Sequence, residues 1–491
     1  MIKTARIQTA GILVLMLWLT LTGCAVHRPY AIDLPVPVPE SFEEGAGDGV
    51  PLQRWWEAFD DPRLNVLMDR TFSGNLDLAQ AYARLEQVEA IRRSTRSGQL
   101  PTLEAGAQGS REDTPGFFGN NTGDGYRLSL AAAFELDLWQ KWRSRTRAAD
   151  DELQASREEL QALYLSLSAL TTDLYYLAVE QRAQLALTDR TIASFSDTVN
   201  LVERRYREGL VSPLDVYQAR QSLAAAKARR PDFQANLATT EHALSVLLGD
   251  YPRGGTFGDV VALPEAPEAF PAGLPSQVLA RRPDVAAAFH RVRASDARVA
   301  AAIADRFPSI NLLGGWGRSS TAFSTGDIEG EFWTLLADLT LPVIDGGRRR
   351  AEADRAKGEF RESLAGYQKT VLTAFQEVED ALAMNRATEE RIAGLEEEVE
   401  AAAGALRMSM ERYLQGLSDY LPVLTAQASH FTADSLLLAA RRQLISDRVS
   451  LARALGGDWM TGEIEKRRTA GDGVKGETKP VSLTAEHRPE E

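Results

Sequence analysis

The sequence predicts a mainly α-helical protein carrying a membrane β segment, assembled from one unit present twice. Three observations carry that reading. The stretch Arg205-Tyr206-Arg207-Glu208-Gly209-Leu210 returns about 207 residues later as Arg412-Tyr413-Leu414-Gln415-Gly416-Leu417, the mark of an internal repeat. Gln140 to Glu208 contains neither glycine nor proline, so nothing stops a helix of roughly 65 residues, on the order of 100 Å long. Ahead of each long helical run, short segments alternate apolar and polar residues with a period of two, as strands do.

Composition excludes several function classes. The chain of 491 residues has a formal charge of −14, and no basic block offsets it, which argues against general nucleic-acid binding. Its five histidines, His27, His242, His290, His430 and His487, fall at no metal-ligand spacing. It has no Gly-x-Ser-x-Gly, no Walker loop and no Rossmann fingerprint. We therefore expect no enzyme, no catalytic residue, no metal and no cofactor beyond a covalent lipid.

The lipid is suggested by the N-terminus. Lys3 and Arg6 precede an apolar run from Gly11 to Thr20, too short to span a bilayer comfortably. It ends in Leu21-Thr22-Gly23-Cys24, and Cys24 is the only cysteine in the chain. This pattern resembles a bacterial lipobox, which makes residues 1–23 a signal peptide and Cys24 the lipidated N-terminus; an ordinary signal peptide or a single anchor helix is the alternative. Ala25 rather than Asp follows the cysteine, which favours the outer membrane. A lone thiol leaves no disulfide to hold the protein together.

The remaining elements follow in order. Proline-rich residues make 24–62 an extended tether. A first repeat spans 63–262 and a second 270–460, joined through a Gly/Pro-rich linker. In the first, Asn75 to Ser97 has helical periodicity. Leu103, Ala105, Ala107 and Gly109 then share one strand face, and Tyr126, Leu128, Leu130, Ala132, Phe134 and Leu136 share another. The long helix follows, then a shorter one from Leu214 to Leu248 with a kink or break expected at Arg230-Pro231. The second repeat offers a helix over Asp284 to Arg306, strands around Ile310 to Trp316 and Trp333 to Val343, and helices from about Arg348 to Gln415 and Tyr420 to Leu455. Residues 461–491 are charged and poor in apolar side chains, which predicts disorder.

Alternation suits a transmembrane barrel or a half-buried soluble sheet equally. If the strands span a membrane, four cannot close a barrel, because the smallest use about eight. Three copies would supply about twelve, with Leu128, Leu130, Phe134, Leu335, Leu339 and Leu341 facing lipid. Phe117, Phe118, Tyr126, Trp139, Trp142, Phe323, Phe332 and Trp333 are candidates for interface girdles, with ordinary packing the alternative.

The duplicated stretches read as tips of helical hairpins. Gly209 and Gly416 sit where a helix end needs positive φ. Ser212 suits an N-cap, with Pro213 at the first helical position and Asp215 three residues after the cap; in the second copy Asp419 takes the N-cap place.

With Trp55-Trp56, Asp61, Asn75-Leu76-Asp77, Arg281-Arg282-Pro283-Asp284-Val285, Phe307-Pro308, Asp345-Gly346-Gly347-Arg348 and the two Tyr-x-x-Gly-Leu tips, residues 50 to 460 resemble the TolC-like outer-membrane efflux proteins, in particular the NodT/OprM-like lipoprotein branch. The resemblance implies a homotrimer with a shared twelve-stranded β-barrel in the outer membrane and a long α-barrel in the periplasm. It implies a passive exit duct that meets a periplasmic adaptor and an inner-membrane pump of the RND class. By position, Gly209, Leu210, Ser212, Gly416, Leu417 and Ser418 match adaptor-docking tips, and Asp215 and Tyr413 match places with gate hydrogen bonds. The chain departs from the family pattern where some members carry a gate arginine, here Ser418, and acidic rings, here Pro422 and Thr425; Asp419 is the local acidic candidate. The competing expectation is a periplasmic scaffold or adaptor lipoprotein with long hairpins and no membrane barrel.

Overall fold

The computed structural model describes residues 25–43, 53–116, 119–254, 258, 260–323 and 326–472. Cys24, the expected signal peptide over residues 1–23, Phe117 and Phe118 lie outside the described residues. In chain order the regular elements are a 3-10 turn Trp55–Phe59, α1 (Pro62–Gly74), α2 (Leu76–Ser97), β1 (Thr102–Gly116), β2 (Gly119–Glu135), α3 (Lys141–Arg207) and α4 (Pro213–Leu247). There follow α5 (Pro275–Arg281), α6 (Pro283–Ala304), β3 (Ser309–Phe323), β4 (Gly326–Thr340), α7 (Arg348–Leu414), α8 (Leu421–Leu455) and α9 (Trp459–Asp472). The two long helices are 67 residues each and the two that follow the tips 35 each, so the repeat expected from sequence is a repeat of elements too.

The compact units are not the repeats. One unit joins residues up to Val36 with Tyr82–Glu159 and Asp284–Leu372, and the other joins Pro37–Ala81, Leu160–Pro283 and Thr373–Glu491. Each unit therefore draws on both copies, and neither copy of the sequence repeat is a compact body by itself.

The first unit contains the sheet. Its four strands are antiparallel neighbours in the order β1-β2-β3-β4. Leu130 lies opposite Ala105 and Trp316, and Trp316 opposite Trp333, so the strand alternation read from sequence becomes one continuous face. That face carries Leu103, Leu128, Leu130, Leu312, Trp316, Trp333, Leu335 and Leu339, and Leu335 and Trp333 are 76% and 75% exposed. The opposite face is mixed, with Glu104, Ser129, Asn311, Thr334 and Asp338 among its side chains. The aromatic candidates divide: Tyr126 and Trp333 are exposed on the apolar face, and Phe332, on the other face, lies under Arg127. Trp139 instead donates to the Pro308 carbonyl at 2.6 Å and packs on Phe307, while Trp142 donates to Glu135 at 2.9 Å. Those two tryptophans brace the junction between β2 and α3.

The start of the tether also lies in this unit, without regular structure over residues 25–34. His27 bonds Asp296 at 2.8 Å, Tyr30 packs on Phe360, and Gln368 donates to the Asp33 carbonyl at 3.1 Å. The segment is held against the helices.

The second unit is held by an aromatic cluster that explains the first sequence motif. Trp55 and Trp56 meet edge to face, and Trp56 meets both Phe72 and Trp459. Asp61 caps α1 by accepting from Arg63 N–H at 2.9 Å and also accepts from Tyr175 Oη at 2.9 Å. Asn75 donates to the Leu247 carbonyl at 2.9 Å; at the equivalent place in the second copy Arg282 donates to the Ala454 carbonyl at 3.1 Å. Different side chains thus tie the end of each 35-residue helix to the same neighbour. Glycine makes this approach possible: a Cβ on Gly249 (φ +79°) would lie 2.3 Å from the Gly74 carbonyl oxygen, and one on Gly456 (φ +73°) 2.6 Å from that of Arg281.

Two expectations are corrected. No break occurs at Pro231, because α4 continues through it; proline costs about 3 kcal/mol there, and packing on both sides holds the helix, with Ala219 and Ala226 buried before it and Thr240, Leu244 and Leu247 after it. The tail is not irregular from residue 461, because α9 extends to Asp472. Two apolar residues at its start, Trp459 and Met460, are buried, and Arg54 reaches Glu463 at 2.7 Å. Residues 473–491 lie outside the described residues.

The two glycine environments separate strain from collision. Gly209→Ala, with open space around its Cβ position, should lower stability by about 1 kcal/mol through its positive φ alone. Gly249→Ala, which adds the collision with Gly74, should melt well below it. Equal thermal transitions for the two variants would refute the close approach.

Candidate functional site

The site assembles from the ends of four helices in the second unit. Both long helices finish in the same hydrogen-bonded turn. Gly209 N–H donates to the Tyr206 carbonyl and Leu210 N–H to that of Arg205, each at 2.9 Å; Gly416 N–H donates to Tyr413 at 3.0 Å and Leu417 N–H to Arg412 at 2.9 Å. This pair of bonds is a Schellman motif, which needs a left-handed residue, and Gly209 and Gly416 supply φ of +76° and +77°. The sequence expectation for both glycines holds.

The helices that leave the tips begin differently. Ser212 and Asp215 form a reciprocal capping box: Asp215 N–H donates to Ser212 Oγ at 3.4 Å and Ser212 N–H to the Asp215 carboxylate at 3.1 Å. Asp419, expected as the second N-cap, does not cap. Tyr420 holds that position without a side-chain cap, and its φ and ψ are already helical. With Pro422 in the first turn one N–H is missing from the start, so less remains to be capped. Asp419 is exposed, and among the described residues Ser418 Oγ bonds only the Asp419 carbonyl, at 3.4 Å.

Behind the tips lies a small core. Val199, Val202, Val216 and Ala219 of the first hairpin pack with Tyr413, Tyr420 and Val423 of the second. Tyr413 is 2% exposed and stands 5.7 Å from Tyr420, ring to ring. Arg205 joins the hairpins by donating to the Tyr413 carbonyl at 3.0 Å while its guanidinium lies 4.6 Å from the Tyr413 ring. A cation at a helix C-terminus and over an aromatic face is favourable on both counts. Arg205 stood in the duplicated stretch, yet its role was not legible, because nothing in sequence tells which helix end it reaches.

Of the three gate candidates, Asp215 and Tyr413 come together without bonding, and the exposed Asp419 does not join them. Asp215 raises the pKa of both phenols from nearby, after the larger effect of burial, and the Tyr420 phenol is pushed up to about 12. Yet the Asp215 carboxylate is engaged in its cap, and neither Tyr413 Oη nor Tyr420 Oη has a hydrogen-bond partner among the described residues. Outward, Leu210 and Leu417 are each 62% exposed. Leu214 and Leu421 are exposed beside them. The tips therefore present apolar knobs on glycine turns, over a core with two unsatisfied hydroxyls.

This architecture has known relatives. The family model for outer membrane efflux proteins matches residues 67–250 and 274–457. The chain belongs to the outer membrane efflux protein family. The two matched segments fall within the expected repeats. This efflux protein is 31% identical over 444 residues to the antibiotic efflux pump outer membrane protein ArpC of Pseudomonas putida, covering 89% of the chain and 91% of ArpC. It is 32% identical over 471 residues to the outer membrane protein OprJ of Pseudomonas aeruginosa, covering 92% of the chain and 96% of OprJ. Among solved structures, the outer-membrane channel OprN aligns with a TM-score of 0.82 at 30% identity, over 89% of the efflux protein and 100% of the OprN chain.

Tyr413→Phe tests the unbonded hydroxyl. Deleting a buried group that has no partner should leave stability unchanged or raise it by about 1 kcal/mol. A loss of that size in chemical denaturation would mean that the hydroxyl has a partner.

Proposed function

We propose that this efflux protein is the passive exit duct of a tripartite system, acting without catalysis as a homotrimer whose twelve shared strands cross the outer membrane. The observation that carries the reading is the sheet: among the described residues, four strands with two unpaired edges and a continuous, exposed apolar face. Open edges and exposed leucine and tryptophan suit neither water nor a soluble core, whereas closure among three copies satisfies the edges and lipid covers the face. A periplasmic scaffold without a barrel leaves that face unexplained.

The duct needs no cofactor. Acylation of Cys24 would add a lipid anchor beside the barrel, and mass spectrometry of the N-terminal peptide reads it. The tips are the docking site for a periplasmic adaptor fed by an inner-membrane pump of the RND class. Support comes from the exposed Leu210 and Leu417 on turns where a Cβ at Gly209 or Gly416 would meet nothing within 4 Å, so a partner can approach the backbone closely.

Two experiments test this. Arginine on the lipid face at mid-membrane costs about 2–4 kcal/mol, so Leu130→Arg should reduce assembled trimer while Ser129→Arg on the other face should not. The reverse order would overturn the assignment of faces. The combined Leu210→Asp and Leu417→Asp variant should keep normal trimer levels yet lose dye export and adaptor cross-linking; normal export would remove the tips from the docking site.

A further inference from the structure

We propose that the clamp made by Arg205 inside the chain is repeated between copies, with Arg412 of one copy closing on Tyr206 of a second. This rests on the homotrimer proposed above and names the contact that joins its tips.

The argument starts from what the duplication kept. The capping residues differ between the tips, Ser212 and Asp215 standing where the second copy has Asp419 and Pro422, but the Arg-Tyr pair is present in both. It occupies the same place in the same turn, the arginine and tyrosine carbonyls accepting from the N–H groups of the leucine and glycine that close the helix. Each end thus carries one donor, an arginine, and one receiving surface, a tyrosine ring beside helix-terminal carbonyls that can accept a second hydrogen bond, as that of Tyr413 does.

Inside the chain only one of two such contacts is made. Arg205 spans to the second helix end, at 3.0 Å from the Tyr413 carbonyl and 3.4 Å from that of Leu414. Its counterpart Arg412 is exposed. Tyr206, the counterpart of the buried Tyr413, is 45% exposed. Among the described residues neither side chain has a hydrogen-bond, ion-pair or ring partner. One donor and one complementary surface therefore remain per chain, on different hairpins.

A donor and a receiving surface at different places make a head-to-tail interface, which a rotation can close into a ring. Three copies give six hairpin ends and six clamps, alternately within and between chains. The clamps within a chain are backed by the buried cluster around Tyr413. The clamps between chains can part without disturbing any chain's own core, so they are where the mouth of the duct yields when it widens.

The test uses the full chain in detergent with a photoreactive benzoyl-phenylalanine at position 206, in trimers mixed from isotopically light and heavy copies. The expected product joins position 206 to the Arg412–Leu417 turn of the other isotope. The Arg412→Ala variant should remain trimeric by native mass spectrometry and show raised single-channel conductance in planar bilayers. Trimers whose cross-links stay within one isotope, or Arg412→Ala trimers of unchanged conductance, would overturn the clamp and leave the duct standing. A monomer by native mass spectrometry would overturn the trimeric reading and the clamp with it.

Discussion

A helix of 67 residues is on the order of 100 Å long, and most of its stability must come from covering its apolar side rather than from intrinsic propensity. Every turn needs a neighbour. The chain provides neighbours by writing the same hairpin twice and by ending each 35-residue helix on a glycine that touches backbone. At Gly249 and Gly456 the approach is so close that a methyl group would collide with a carbonyl oxygen. Asn75 and Arg282 then tie those ends with one hydrogen bond each. That two unlike residues perform the same task shows what duplication preserves: the place of a contact, with freedom in the chemistry that makes it.

How far the sequence disclosed this follows from the range of each interaction. Helix extents were legible because glycine, proline and cap residues act within a turn or two; the bounds of α3, α4 and α7 fall within a residue or two of those expected. Strand facing was legible for the same reason, since alternation is local. Pro231 misled because its cost is local while its compensation, the buried residues flanking it on α4, is tertiary. α9 was missed because two buried residues and an arginine some four hundred positions earlier, Arg54 on Glu463, outweigh a charged composition. At the tips the glycines were readable from the turn they require. The failure of Asp419 to cap, and the reach of Arg205 to Tyr413, depend on which helix lies alongside, which no spacing reveals.

The sheet poses a constraint that one chain does not resolve. Antiparallel ladders satisfy the backbone between strands, yet β1 and β4 keep one edge each, and an edge left open in hydrocarbon is costly for every unpaired group. The outward apolar face argues against burying those edges by folding the sheet onto a core, since Leu335 and Trp333 are 76% and 75% exposed. The proposed trimer in a membrane would meet both needs, since other copies would pair the edges and lipid would cover the face.

The helical tips, the mouth of the proposed duct, carry the opposite design. Where the sheet leaves two edges unpaired among the described residues, the tips satisfy their backbone locally, through two Schellman turns and one capping box. What they leave unsatisfied are side chains: the hydroxyls of Tyr413 and Tyr420, buried beside one another and beside Asp215 without a hydrogen bond. A buried unpaired hydroxyl costs on the order of 1–3 kcal/mol, so the packed arrangement of these hairpins is held below the stability it could reach. Any rearrangement that lets Asp215 leave its cap and accept from a phenol would recover part of that cost while losing a capping box worth about 1 kcal/mol. The two terms are of similar size. Rigid turns at the tip combined with a nearly balanced polar exchange behind it are what a mouth needs if a docking partner, rather than thermal motion alone, is to decide its state.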